Sequence, residues 1–217
     1  MDTNFWLEKW QNNNIGFHRS EANPVLIKYF SELSLRQGSR VFLPLCGKTL
    51  DIAWLLSHGY RVAGAELVEM AIEQLFVELE VEPTIVEVGN LKQYSAENLD
   101  IFVGDIFELS GEMLGSVEAT YDRAALVALP EEMRNRYTAH LMEITDKAPQ
   151  LLVTYEYEQN LMAGPPFSIS SEEVNQHYGD NYDLTLIVSN NVPGGFKGKC
   201  AATENVWLLQ NDFTEKF

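Results

Sequence analysis

The order of strand-like and helical segments between residues 40 and 79 constrains this fold more than any other feature of the sequence. Residues 40–45 form a short apolar run, and Cys46-Gly47-Lys48 follows as a turn. A helical pattern comes next, then a second apolar run at 60–65, then a second helical pattern at 68–79. Strands that alternate with helices in this way are typical of a parallel sheet, so we predict an α/β fold.

Later apolar runs extend the predicted sheet. We expect the last two runs to pair as antiparallel strands, and we leave residues 80–100 open between a small hairpin and an extended loop. The sequence has no internal repeat or linker, so we predict a single domain over residues 1–217, in which residues 1–30 form a helical N-terminal segment. The later strands are predicted at 101–103, 118–121, 151–156, 182–188 and 201–209.

The composition narrows the classes of partner. With 217 residues, of which 46% are hydrophobic, the chain is able to bury a core without cross-links. Its formal net charge of −17 repels phosphates, which argues against nucleic acid and anionic membranes as partners. No apolar run is long enough to span a bilayer, and the N-terminus lacks the pattern of a signal peptide. We therefore expect a cytoplasmic protein, and a monomer, since no long apolar stripe is present.

The two cysteines do not indicate a metal site. Cys46 and Cys200 are far apart in the sequence and form none of the paired spacings of zinc sites, so we predict no metal. Two reduced thiols or one long-range disulfide both remain open. For Cys46, a small side chain that fills a tight turn is favoured over a nucleophile.

Polar residues follow several predicted strands, where ligands bind in open α/β sheets. Glu66 comes directly after the second strand and 19 positions after Gly47. An acidic residue at about this spacing accepts hydrogen bonds from ribose hydroxyls, so Glu66 indicates a nucleoside ligand. Asp105-Ile106 and Arg123 follow the third and fourth strands.

The first turn discriminates among nucleosides. It contains one glycine, whereas dinucleotide and Walker loops need several to bring backbone N–H groups to phosphates. S-adenosylmethionine, a nucleoside without phosphates, fits this turn better. A nicotinamide-dependent oxidoreductase, which shares the ribose-binding acid, and a non-catalytic nucleoside-binding module remain as alternatives.

Several motifs together resemble the thiopurine S-methyltransferase family over nearly the whole chain. They are FWLEKW–IGFHR, VFLPLCGKTLDIAWLLSHGYRVAGAEL, GDIFEL, YDRAALVAL and the GPPF loop. The resemblance implies a Rossmann-like class I methyltransferase dependent on S-adenosylmethionine, with a seven-stranded, mostly parallel sheet, an antiparallel last strand and helices on both faces. It also implies a bacterial member that methylates thiopurines and selenium or tellurium compounds.

The resemblance also assigns roles to individual residues. Trp10, Leu45, Glu66, Ile106 and Arg123 match positions that bind the cofactor: Trp10 is an N-terminal aromatic, Leu45 holds the methionine part through its backbone, Glu66 binds the ribose, and Ile106 lies beside the adenine. Arg123 matches an arginine near both cofactor and substrate, and Phe17 and His18 match a pair over the substrate. A side-chain packing role remains the alternative for Trp10, and a surface loop for His18.

The expected reaction is an in-line displacement of the methyl group toward a small thiol, selenol or similar acceptor. An ionised thiol is already a good nucleophile, so we expect no dedicated general base. The catalytic role predicted for Arg123 is to favour the anionic acceptor by electrostatics. The physiological acceptor is not identified by the sequence.

Overall fold

Nine strands form one mixed sheet in the computed structural model, which describes residues 3–16, 18–196 and 198–211. Most residues of the middle strands are buried and apolar, which suits strands covered on both faces. In space the order is β3-β4-β5-β2-β1-β6-β7-β9-β8. The strands are β1 (Arg40–Leu43), β2 (Arg61–Glu66), β3 (Thr84–Val88), β4 (Leu91–Ala96), β5 (Leu99–Val103), β6 (Ala119–Arg123), β7 (Gln150–Tyr157), β8 (Asp183–Asn191) and β9 (Ala202–Gln210).

The five middle strands, β5-β2-β1-β6-β7, are parallel, and β9 runs antiparallel between β7 and β8. With β8 they make up the expected seven strands and the antiparallel last strand, so the predicted fold class is confirmed. The count itself becomes nine, because residues 84–96 fold as a hairpin whose second strand pairs antiparallel with β5. The open alternative for residues 80–100 is thus resolved in favour of the hairpin.

Seven α-helices accompany the sheet in the described residues. Side-chain caps start several of them. The Asn23 side chain accepts a hydrogen bond from Val25 N at 2.9 Å, with Pro24 in the first turn, and Ser170 Oγ accepts one from Glu173 N at 3.2 Å. The helices are α1 (Thr3–Gln11), α2 (Pro24–Tyr29), α3 (Asp51–Ser57), α4 (Glu69–Glu78), α5 (Gly111–Leu114), α6 (Glu131–Ile144) and α7 (Ser171–Tyr178).

The helices cover both faces of the sheet, as expected. Helices α2, α3 and α4 pack on one face, around Leu26, Leu55 and Leu75. Helices α5, α6 and α7 pack on the other, around Leu141 and Tyr178. Helix α1 belongs to neither layer: its side chains pack against the start of α4, at one end of the sheet.

Candidate functional site

The candidate site lies at the edge where the parallel strands end. Strand β1 lies between β2 and β6, and β5 flanks β2. The residues that end or directly follow these four parallel strands therefore meet at one edge of the sheet. Those residues include Leu45, Glu66, Ile106 and Arg123. The structure therefore brings together four positions that the sequence predicts as part of the site.

The turn after β1 has an unusual backbone. Leu45 has a φ of +47° and Gly47 a φ of +53°, both in the left-handed region. For leucine this conformation costs about 1–2 kcal/mol, a strain that marks functional turns. The turn is held to β2 by a hydrogen bond from Cys46 N to Ala65 O of 2.9 Å. The backbone at Leu45, which the resemblance assigns to the cofactor, is thus fixed in a conformation that leucine rarely adopts.

Glu66 lies directly above this turn. One carboxylate oxygen accepts the Gly47 N–H at 2.8 Å, and the other accepts the Val68 N–H at 2.9 Å. Burial raises the pKa of Glu66, while these backbone N–H groups oppose that rise. A carboxylate has about four acceptor positions, so one lone pair on each oxygen remains for further donors. A vicinal diol presents two hydroxyl donors at this spacing, so the residues present fit a ribose.

Residues after β5 lie beside Glu66, since Gly104 N donates to Glu66 O at 2.9 Å. The Asp105 side chain caps the following turn by accepting from Phe107 N at 3.1 Å. The Ile106 side chain is only 1% exposed and packs into the core beneath the edge. Its carbonyl is 2.8 Å from His140 Nε2. Ile106 therefore follows β5 at this edge with its side chain embedded in the core, and its role beside the adenine stays a prediction.

Arg123 ends β6 and is followed by Ala124 with a φ of +63°. The Arg123 side chain makes no hydrogen bond or ion pair with any other residue that the structure describes. An arginine that is half-buried without an internal partner is available to an anionic ligand.

Asp122 supports the Arg123 turn and was missed by the sequence analysis. It is fully buried: one oxygen accepts from Leu126 N at 3.1 Å, and the other accepts from the Tyr137 hydroxyl at 2.7 Å. Burial raises its pKa from 3.8 to about 6, despite these hydrogen bonds. The alternation of side chains along a strand could have indicated this burial. It places Asp122 and Arg123 on opposite faces of β6, so one of the two has to point toward a covered face of the sheet.

The N-terminal segment packs over the first turn. Trp10 is 5% exposed and contacts Val68 and Ala71 at the start of α4. A Cβ atom on Gly47 would lie 3.0 Å from Trp10 Cζ2, so the indole covers the turn closely. Packing is therefore at least part of the role of Trp10, and it takes place at the predicted site.

His18 is half-buried in the same region. Its burial and the nearby charges of Lys48 and Arg123 lower its pKa. His18 therefore lies close enough to Lys48 and Arg123 for their charges to act on it, and its substrate-binding role stays a prediction. Phe17, its predicted partner, lies outside the described residues.

Two other residues of the first turn have structural partners. Lys48 Nζ forms an ion pair with Glu78 Oε1 at 2.6 Å. The Cys46 sulfur packs under β2, 2.9 Å from where a Cβ on Gly64 would lie, and burial and the Glu66 charge raise the pKa of this thiol. Because the thiolate is disfavoured there, Cys46 fits the turn-filling role rather than that of a nucleophile.

Within the described ranges, Cys46 and Cys200 are both free thiols. In residues 3–16, 18–196 and 198–211, no group of three or more His, Cys, Asp or Glu side chains is placed to hold a metal ion. None of the helices in that part of the chain has the length and apolar character needed to cross a membrane.

Known proteins similar to this chain are methyltransferases. Residues 1–211 match the family described as thiopurine S-methyltransferase. A thiopurine S-methyltransferase of Xanthobacter autotrophicus is 54% identical over 97% of this chain and 99% of that relative. One of Teredinibacter turnerae is 52% identical over 98% of this chain and 99% of that relative.

A solved structure shows the same fold at low identity. It is the 1,6-didemethyltoxoflavin-N1-methyltransferase of Burkholderia thailandensis, with 1,6-didemethyltoxoflavin and S-adenosylhomocysteine bound. The TM-score is 0.66 at 14% identity, over 96% of this chain and 87% of that one.

Proposed function

Because the chain belongs to the thiopurine S-methyltransferase family, we propose that it methylates the sulfur of small thiol-type acceptors such as thiopurines, and their selenium or tellurium counterparts. It is a methyltransferase, and its methyl donor is S-adenosylmethionine. The observation that carries the proposal is the buried Glu66 carboxylate, anchored by Gly47 and Val68 with one lone pair left on each oxygen.

The chain's own residues supply binding and orientation. Glu66 accepts the ribose hydroxyls, the strained Leu45 backbone holds the methionine part, Ile106 lies beside the adenine, and Trp10 closes the first turn from above. When bound, S-adenosylmethionine supplies a methyl group on a positively charged sulfur, and this sulfur is a strong leaving group because it departs as a neutral thioether. The protein therefore has to align the acceptor and exclude water, more than to activate the donor.

Arg123 acts on the acceptor. Its guanidinium has no partner within the described residues, so its charge stabilises an anionic thiol or selenol next to it. The acceptor sulfur is then already ionised when it attacks the methyl carbon in line with the bond that breaks. His18 lies close enough to Arg123 for their charges to interact, and it contacts the acceptor in this proposal.

Residues 1–30 act as a lid. Packing of Trp10 and its neighbours in α1 on the start of α4, beside Glu66, supports a lid over the cofactor site. Deletion of residues 1–18 should abolish turnover and leave the sheet folded. Retained turnover in the deletion variant would contradict the lid.

Calorimetry tests the cofactor site directly. The wild type should bind S-adenosylmethionine and S-adenosylhomocysteine with micromolar affinity, and Glu66→Ala should weaken both by about 100-fold or more, the effect of two hydrogen bonds to a charged group. Glu69→Ala is the matched control, since this neighbouring carboxylate instead bonds Lys92 and Tyr94. Unchanged binding in Glu66→Ala would contradict the assignment.

Transfer is tested with 6-mercaptopurine as acceptor. Arg123→Ala should raise the acceptor KM or lower kcat far more than Arg123→Lys, because lysine keeps the charge. Equal effects of the two substitutions would indicate a structural arginine. Cofactor binding without transfer to any thiol would support the non-catalytic alternative, and fluorescence titration with reduced nicotinamide cofactor tests the oxidoreductase. Cytoplasmic location, a monomeric state and the lack of nucleic-acid or membrane partners stay predictions.

A further inference from the structure

A polar pair next to Arg123 has no role in the reaction described so far. Tyr155 on β7 and Glu204 on β9 are register partners, and the Tyr155 hydroxyl donates to Glu204 Oε1 at 2.8 Å. Arg123 pairs with Val153, two residues before Tyr155 on the same face of the sheet. Arg123, Tyr155 and Glu204 therefore lie on one face of three adjacent strands, with Tyr155 and Glu204 two residues further than Arg123 toward the end of the sheet that carries the candidate site. We call this diagonal set the row.

Charges converge on this row. Arg123 and Arg19 lie near enough to the Tyr155 hydroxyl to favour its ionised form, although burial and Glu204 raise its pKa overall. The Tyr121 hydroxyl, two residues before Arg123, is affected by the charges of Arg123 and Glu204 as well. Tyr121 is 2% exposed, and its hydroxyl has no hydrogen-bond partner among the described residues. An orphaned buried hydroxyl beside this row is a second sign that polar groups here serve a ligand.

The chemistry of the row defines what it can recognise. Glu204 is half-buried, and its second oxygen makes no hydrogen bond within the part of the chain that the structure describes. A carboxylate only accepts, so its partner on a ligand has to be an N–H or O–H donor. The Phe196 ring packs edge-on against Tyr155, with centroids 4.8 Å apart, and adds an aromatic surface beside the pair. A planar ring that carries both an N–H and an anionic sulfur matches Glu204 and Arg123 together.

We propose that Glu204, held in place by Tyr155, is a specificity-determining residue that accepts a hydrogen bond from a ring N–H of the methyl acceptor. The enzyme then prefers heteroaromatic thiols with a ring N–H over simple aryl thiols, because a bound acceptor without that donor covers the half-buried carboxylate oxygen and gives it no partner. This inference rests on the proposed function and names the acceptor class of the same site.

Two acceptors that differ in the ring N–H test the inference: 6-mercaptopurine, which has it, and thiophenol, which lacks it. Glu204→Met removes the hydrogen-bond acceptor at similar side-chain length. It should lower kcat/KM for 6-mercaptopurine by ~10–100-fold and leave thiophenol within about threefold. Glu204→Gln keeps a carbonyl oxygen and should lie between wild type and Glu204→Met. Tyr155→Phe frees the carboxylate and should cause a smaller loss, again with 6-mercaptopurine alone.

The control variant is Glu156→Met. Glu156 follows Tyr155 on β7, points to the opposite face and bonds Asn205, so neither acceptor should be affected. S-adenosylhomocysteine affinity, measured by calorimetry, checks that each variant is folded. If Glu204→Met does not fold, Glu204→Gln and Tyr155→Phe carry the same comparison.

The outcomes separate this inference from the proposed function. Equal losses with both acceptors, or no loss with either, would overturn the role of Glu204 and leave thiol methylation in place. A wild type that binds S-adenosylmethionine but methylates neither acceptor would overturn the proposed function and the inference with it.

Discussion

The buried carboxylate of Asp122 makes the stability of this protein depend on pH. Its pKa is raised from 3.8 to about 6 because burial disfavours the charged form more than its hydrogen bonds favour it. The native state therefore holds this proton more tightly than the unfolded chain. The stabilisation is complete below pH 4 and is lost as the pH rises through 6.

The size of the effect follows from the shift. Two pKa units correspond to about 3 kcal/mol over the full range, and about 1 kcal/mol of this falls between pH 5.5 and pH 8. The Asp122→Asn variant cannot ionise at this position, so its free energy of unfolding lacks this pH-dependent contribution. We expect the free energy of unfolding of the wild type, relative to Asp122→Asn, to fall by about 1 kcal/mol from pH 5.5 to pH 8.

Urea unfolding at pH 5.5, 6.5 and 8, followed by tryptophan fluorescence, measures this difference. Asp183→Asn, at an exposed position, controls for the loss of one negative charge. Tyr137→Phe removes a hydrogen bond that favours the ionised carboxylate and should therefore raise the pKa of Asp122 further. The loss of stability should then extend to higher pH. Parallel curves for wild type and Asp122→Asn would refute the reasoning. A wild type that gains relative stability as the pH rises would show that the hydrogen bonds outweigh burial.

Two further predictions concern the first turn and the start of α2. Gly47→Ala should destabilise the protein by about 1–3 kcal/mol and weaken S-adenosylhomocysteine binding. The reason is that a residue with left-handed backbone angles gains a Cβ atom that presses on Trp10. An unchanged melting temperature would contradict this prediction. Asn23→Ala should cost about 1 kcal/mol in urea unfolding through the lost bond to Val25 N, whereas the exposed Asn190→Ala should be neutral.

Local patterns predicted much of the fold. The alternation from residue 40 to 79 is β1, α3, β2 and α4 in the structure, and the terminal antiparallel pair is β8 and β9. The caps at Asn23 and Ser170 are local in the same way, since each side chain accepts from a backbone N–H two or three residues further on. These features depend on neighbours a few residues away, so propensity and periodicity are sufficient to predict them.

The candidate site was predicted in outline by the same means. A residue directly after a parallel strand has to lie at the carboxyl edge, which places Glu66 and Arg123 without any knowledge of packing. The hairpin at 84–96 stayed ambiguous because its pairing with β5 depends on which edge of the sheet is exposed. Asp122 was missed because its burial depends on α6, whose Tyr137 lies 15 residues away.

The sequence by itself determined the α/β class, the edge that carries the candidate site and the place of Glu66 at that edge, since each follows from the order of residues along short segments. Only the tertiary structure decided which side chains meet across that edge. Trp10 covers Gly47, and Tyr155 bonds Glu204 across 49 residues of chain. Such contacts depend on the packing of whole elements, and burial then sets the charge state of groups such as Asp122. The proposed specificity for the acceptor depends on these long-range contacts, because Arg123, Tyr155 and Glu204 come from strands that are distant in sequence.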